Sequence, residues 1–207
     1  MAQCVIIYGK SGSGKSRSLK NFNEDEILLV NVEDKALPFR NKFKNVINTD
    51  NMTVIAKALK EMKQNVAVID DAGYIMVNMF MARHRNMRGG AVYELYNDIA
   101  DVFYSLIKFI KRELPPEKIV YIIMHEDTVS ETGQTKLKTI GKLLDDKCCI
   151  EGKVTIVLRC ISEDGKHYFK TMTDGTDITK APEGMFDNEY IDNDLKAVDI
   201  AIREYYK

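Results

Sequence analysis

At 207 residues with 45% hydrophobic content, the chain can bury one full-sized core and is too short for two large domains. Its 30 Lys and Arg nearly cancel 31 Asp and Glu, leaving a formal charge of -1, which excludes a polycation that holds nucleic acid through its overall field. The four cysteines show no C-x-x-C spacing and include the adjacent Cys148 and Cys149, so a reduced cytoplasmic protein without a zinc site is expected. No charged-then-apolar leader and no apolar run near ~18 residues is present, so neither secretion nor a membrane span is expected.

In chain order, the apolar run Val5 to Tyr8 reads as a buried strand, followed directly by Gly9, Lys10, Ser11, Gly12, Ser13, Gly14, Lys15 and Ser16. A glycine-rich turn between a strand and a helix-forming stretch, here Arg17 to Phe22, lets backbone N–H groups wrap phosphates where side chains would clash. In this pattern Lys15 reaches the β- and γ-phosphates, Ser16 places its hydroxyl on Mg²⁺, and the helix start adds unpaired N–H groups. Residues 9–17 are therefore the candidate nucleotide-binding loop.

Glu26 to Val32 reads as a second buried strand that ends in Glu33. In open α/β sheets ligands lie beyond the carboxyl ends of strands, so Glu33 is either a base acting on water or a solvated loop acid. An irregular connection over residues 38–45 and a helix from about Met52 to Met62 follow. Val66 to Ile69, then Asp70 and Asp71, gives a central strand tipped with carboxylates. Asp70 is the candidate metal-side carboxylate, while Asp71 either assists it or caps the next helix, from Ala72 to about Ala82.

Arg83 to Gly90 holds three arginines, a histidine and two glycines, read as a flexible cationic loop. Arg83, Arg85 and Arg88 are either a solvated surface or contacts to phosphates. Val92 to Arg112 has the three- and four-residue apolar spacing of a long amphipathic helix. Lys118 to Met124 is a further buried strand, ending at His125, which is either a packed residue or a sensor of the γ-phosphate. The polar stretch Thr128 to Lys138 is expected to be a loop ordered by ligand, carrying Lys136 and Lys138, with Lys142 on the same positive side. Val154 to Ile161 and Lys166 to Met172 predict an antiparallel hairpin, and Asp192 to Tyr206 a closing helix. Arg159, Lys170 and Lys180 are either surface residues or candidates for reaching a neighbouring subunit's nucleotide.

With these pieces the chain resembles a RecA-type ATPase core, and more narrowly the short phage-encoded RecA-core proteins of single-strand annealing and recombination. Gly9 to Ser16 matches the Walker A element and Val66 to Asp71 the Walker B strand. The segment around Lys180 to Pro182 and Gly184 to Phe186 matches a landmark of the short phage group. The resemblance implies a RecA-like P-loop α/β fold with a mainly parallel sheet, flanking helices and a C-terminal antiparallel hairpin, formed as a single domain. It implies an ATPase using ATP and Mg²⁺, with Lys15, Glu33, Asp70 and His125 catalytic. Residues 83–90 and 128–138 fall where the two DNA-binding loops lie, so the implied partners are single-stranded DNA, further copies of the chain and a single-strand-binding protein. Because the P-loop begins at residue 9, the extra oligomerisation and DNA-binding segments of full-length recombinases are not expected. A P-loop small-molecule kinase and a non-hydrolysing loader module are the alternative functions.

Overall fold

The computed structural model describes residues 1–40, 42–140 and 148–207. Lys142 and Asn41 therefore lie outside the described residues. Among the described residues nine strands form one sheet: β1 (Gln3–Gly9), β2 (Ile27–Asn31), β3 (Val46–Asn48), β4 (Val66–Asp70), β5 (Ile119–Thr128), β6 (Thr135–Leu137), β7 (Ile156–Glu163), β8 (Lys166–Lys170) and β9 (Tyr190–Asp192). The order is β3-β2-β4-β5-β1-β7-β8-β9, with β6 paired to β5. β3, β2, β4, β5, β1 and β7 run parallel, while β8 pairs antiparallel to β7 and β9 antiparallel to β8. β1 thus sits between β5 and β7, and its carboxyl end opens where the chain leaves for β2, two strands beyond β5. In an open α/β sheet this is where a crevice forms.

Among the described residues four α-helices cover the sheet: α1 (Met52–Glu61), α2 (Gly73–Arg83), α3 (Gly90–Glu113) and α4 (Leu195–Tyr205). β1, β2 and β4 are buried on both faces, which explains their unbroken apolar runs. Ile6, Val30, Ile69 and Ile122 pack with α1, α2 and α3 on one face; Ile7, Leu29, Val68 and Ile123 pack with α4 on the other. α1 is capped by Asn51 and α4 by Asp194, each carboxyl or amide oxygen accepting two backbone N–H groups. No helix among the described residues is long and apolar enough to cross a membrane.

Several expectations are corrected. The segment after the P-loop is a six-residue 3₁₀ helix, Ser16–Asn21, because Leu19 and Phe22 turn into the core and the chain must return to start β2. β5 does not end at His125: it continues to Thr128 and pairs with β6, Glu126 opposite Leu137 and Thr128 opposite Thr135. Thr135 and Leu137 are buried on alternate positions, so much of the stretch read as a loop is ladder. The arginine stretch is likewise ordered, with Arg83 closing α2, His84–Asn86 forming a 3₁₀ turn and α3 starting at Gly90.

Candidate active site

A cleft of about 930 Å³ opens at the carboxyl ends of β1, β4 and β5. Lys10, Ser11, Gly12, Gly14, Lys15, Ser16 and Arg17 form one wall, and Asp70, Asp71, His125, Lys35 and Tyr74 face them. Residues 54 positions apart are joined here, since Ser16 Oγ, at the start of the 3₁₀ helix, donates to Asp70 Oδ1, at the end of β4, at 3.0 Å.

The loop's shape depends on its glycines and on the hairpin β7–β8 beneath it. Gly14 has φ +102°, and a Cβ there would lie 2.7 Å from the His167 ring, so only glycine fits. A Cβ on Gly9 would meet the Cys160 carbonyl oxygen at 2.3 Å. The Ser13 carbonyl accepts from His167 Nδ1 at 2.8 Å and from the Cys160 thiol at 3.0 Å. A carbonyl only accepts, so His167 carries its proton on Nδ1. Burial pushes the Cys160 thiol up to about 11, which keeps it a neutral donor. Ser13 itself is buried, and its hydroxyl has no partner among the described residues.

Lys15 is buried, and its ammonium donates to the carbonyls of Gly9 at 3.0 Å and Lys10 at 2.7 Å. Burial lowers its pKa from the ordinary lysine value. The loop thus holds the cation at its mouth, where an anion would replace the carbonyls. Burial, with the neighbouring Asp71 charge adding to it, raises the Asp70 carboxyl to about 6 against the Ser16 hydrogen bond. A serine hydroxyl beside a buried carboxylate is a hard-oxygen pair of the kind that Mg²⁺ takes, so the residues fit that ion. When bound, it would neutralise charge on the phosphate oxygens.

Asp71 does not cap α2, whose first turn has no side-chain cap. It stands at φ +57° and its carboxylate meets the Lys35 ammonium and His125 Nε2, the latter at 3.2 Å. Burial pushes its pKa upward, but the His125 and Lys35 contacts outweigh this and hold it at about 2. The His125 ring also stands edge-on to Tyr74, 5.8 Å between centroids. Glu33 does not line the cleft: β2 ends at Asn31, and Glu33 accepts from Asn78 of α2 at 3.0 Å. The same turn brings Lys35 into the site instead.

The remaining predicted residues separate. Lys138 lines the cleft, whereas Lys136 stands on β6 opposite Asp127. Arg83 pairs with Asp98 of α3 at 2.7 Å, and Arg85 and Arg88 are exposed, all three away from the cleft lining. Beside them Phe80 stacks between His84 and Tyr96, at 4.8 and 5.2 Å between centroids. Arg159 and Lys170 are taken up internally: Arg159 makes a two-pronged pair with Glu126 at 2.9 and 3.1 Å, and Lys170 holds the buried Asp177 at 2.8 Å. Both are therefore committed to fold contacts. Lys180 bridges Val157 through its backbone and does not line the cleft. Lys35 and His167 were missed from sequence, because neither lies in a motif and each reaches the site only through tertiary packing.

Comparison with protein families matches residues 1–182 to a family described as the AAA domain. Comparison with curated proteins gives no match.

Proposed function

The chain belongs to the AAA-domain family of nucleotide-binding P-loop ATPases, and from that premise we propose that it hydrolyses ATP with Mg²⁺ and binds single-stranded DNA to promote annealing or recombination. The observation that carries the first half is the Ser16–Asp70 hydrogen bond beside the Lys15 ammonium, which puts a metal-side oxygen pair and a phosphate cation in one cleft. In this reading Lys15 and the loop N–H groups hold the phosphates. Ser16 and Asp70 hold the metal. Asp71 takes the part first given to Glu33, because it lines the cleft and stays ionised, so it can orient the attacking water by hydrogen bonding. His125 contacts Asp71 on one side and leads, through β5 and the β6 hairpin, to Lys136 on the other.

The nucleic-acid half is supported by the α2–α3 end. The 24 residues of α3 span about 36 Å, roughly twice the length of a five-residue strand. Its buried positions begin at Leu95, so its first turn projects past the core with Arg85 and Arg88 beside it. Tyr93, 75% exposed, and the His84–Phe80–Tyr96 stack add ring surfaces next to those cations. Cations with stacking rings suit a single strand, whose bases are free to stack. Several copies acting along one strand, with or without a single-strand-binding protein, complete the reading.

The test is ATP turnover with and without single-stranded DNA, at low and moderate salt, with nucleoside and nucleotide acceptors present. Stimulation by DNA that salt removes supports the reading. Phosphorylation of an acceptor with no response to DNA overturns it in favour of a kinase, and nucleotide binding without turnover in favour of a loader.

A further inference from the structure

Lys35 is displayed by a turn built for the purpose of fixing its backbone. Asn31, 9% exposed at the end of β2, clamps both peptide groups of Lys35: its Oδ1 accepts the Lys35 N–H at 3.2 Å and its Nδ2 donates to the Lys35 carbonyl at 2.8 Å. Between them Asp34 stands at φ +51°, in the left-handed region, and its carboxylate accepts from Asn48 of β3. The Val32 N–H donates to the Asp70 carbonyl at 3.3 Å, tying the turn to the strand that carries the metal-side carboxylate. The result is a lysine that lines the same cleft as Lys15.

Its ammonium touches Asp71 and lies 5.4 Å from the centre of the Tyr74 ring. The Lys35 side chain is 55% exposed while Asp71 is only 10% exposed, so the lysine end of the pair is open to solvent, and His125 Nε2 meets the same carboxylate. A left-handed residue and a buried amide clamp fix the backbone that carries this ammonium. Backbone held this way is characteristic of functional sites.

We infer that Lys35 is a second phosphate-side cation, exchanging Asp71 for a γ-phosphate oxygen when a nucleoside triphosphate enters. This rests on the ATPase reading above. With the ammonium on the phosphate, one face of the Asp71 carboxylate is freed for the attacking water. The water oxygen then bonds to the γ-phosphorus, and the bond from that phosphorus to the β,γ-bridging oxygen breaks with its electron pair leaving on ADP. The water proton passes to Asp71 and from there to inorganic phosphate or solvent. Lys35 stays charged throughout and stabilises the equatorial oxygens. A diphosphate offers no γ-oxygen, so the contact distinguishes the two nucleotides.

The test compares the parent, Lys35→Ala and Lys35→Arg for affinity toward ADP and the β,γ-imido analogue of ATP, both with Mg²⁺, alongside single-turnover ATP hydrolysis and melting temperature. Expected for Lys35→Ala are parental ADP affinity, a modest fall in melting temperature because the mostly buried Asp71 keeps only His125, a loss of about tenfold in preference for the triphosphate, and hydrolysis slowed by about 30-fold or more. Lys35→Arg should recover part of both losses. Parental triphosphate preference in Lys35→Ala, or equal loss of both nucleotides, overturns the proposal. If the parent itself does not hydrolyse ATP, the ATPase reading fails, and the ratio of the two affinities still decides whether Lys35 meets the γ-phosphate.

Discussion

Ser16 Oγ and Asp70 Oδ1 lie 3.0 Å apart, so the end of the phosphate loop and the tip of β4 are joined before any nucleotide arrives. The pair is costly as well as useful, because Asp70 is buried and its carboxyl is raised from 3.8 to about 6. Between those values the folded chain binds a proton more tightly than the unfolded chain, so this group's contribution to stability falls as pH rises from about 4 to about 6. Asp70→Asn removes that penalty and keeps an oxygen for Ser16. Without metal at pH 7.5, the variant should be more stable than the parent by on the order of 1–3 kcal/mol, with the gap closing near pH 4. Denaturant unfolding at both pH values checks this, and Mg²⁺-dependent nucleotide affinity should fall at the same time.

Asp71→Asn and Glu33→Gln separate two carboxylates. The first removes the charge that lines the cleft and should slow turnover by about 100-fold or more. The second changes a residue bound to Asn78 outside the lining and should leave turnover within about threefold of the parent. Steady-state hydrolysis at saturating ATP reads both.

Gly14→Ala sets a Cβ 2.7 Å from the His167 ring on a backbone with φ +102°. A loss of about 2 kcal/mol or more is expected, with nucleotide binding abolished. Adding His167→Ala should recover the steric part and not the backbone part, which melting curves of the single and double variants resolve.

Arg159→Met leaves the Glu126 carboxylate, 3% exposed, without its two-pronged partner. An uncompensated buried charge costs about 3–5 kcal/mol, whereas the double variant Arg159→Met with Glu126→Leu should lie close to the parent. Urea unfolding of the parent, both single variants, Glu126→Leu included, and the double variant measures the coupling and tests the internal role of Arg159.

Arg85→Ala with Arg88→Ala should lower the dependence of single-stranded DNA affinity on salt. Each lost phosphate contact reduces the log–log slope by about 0.7. Tyr96→Ala should instead weaken binding by a similar factor at every salt concentration, because stacking is not a counterion effect. Anisotropy of a labelled oligonucleotide across a salt series tells the two apart.

The parts of the site that were legible in the sequence are those where local pattern and chemistry coincide. Val66 to Ile69 is unbroken and apolar because β4 is buried on both faces, and the Asp70 carboxylate at its tip faces the cleft. The loop from Gly9 to Ser16 needs glycines where backbone and the His167 ring come close, and that need is written in its spacing. Lys35 and Glu33 show the opposite case. They are two residues apart, and which one enters the cleft is decided by the Asn31 clamp and the left-handed Asp34, neither of which has a periodic signature. β6 was missed because a three-residue strand offers only Thr135 and Leu137 as buried positions within a polar run. His167 lies on the hairpin beneath the loop, 154 positions from the carbonyl it supports, so only the pairing of β7 with β1 brings it there.

The sheet's outer strands, β3 and β9, are three residues long each. Strands this short offer a neighbour two or three ladder hydrogen bonds at most, and short edges are a recurrent guard against runaway stacking of sheets. If copies of this chain assemble side by side, these short edges favour contacts between side-chain surfaces over a shared ladder. Contacts of that kind would be able to release as a bound nucleotide changes, which a continuous β-ladder between copies would resist.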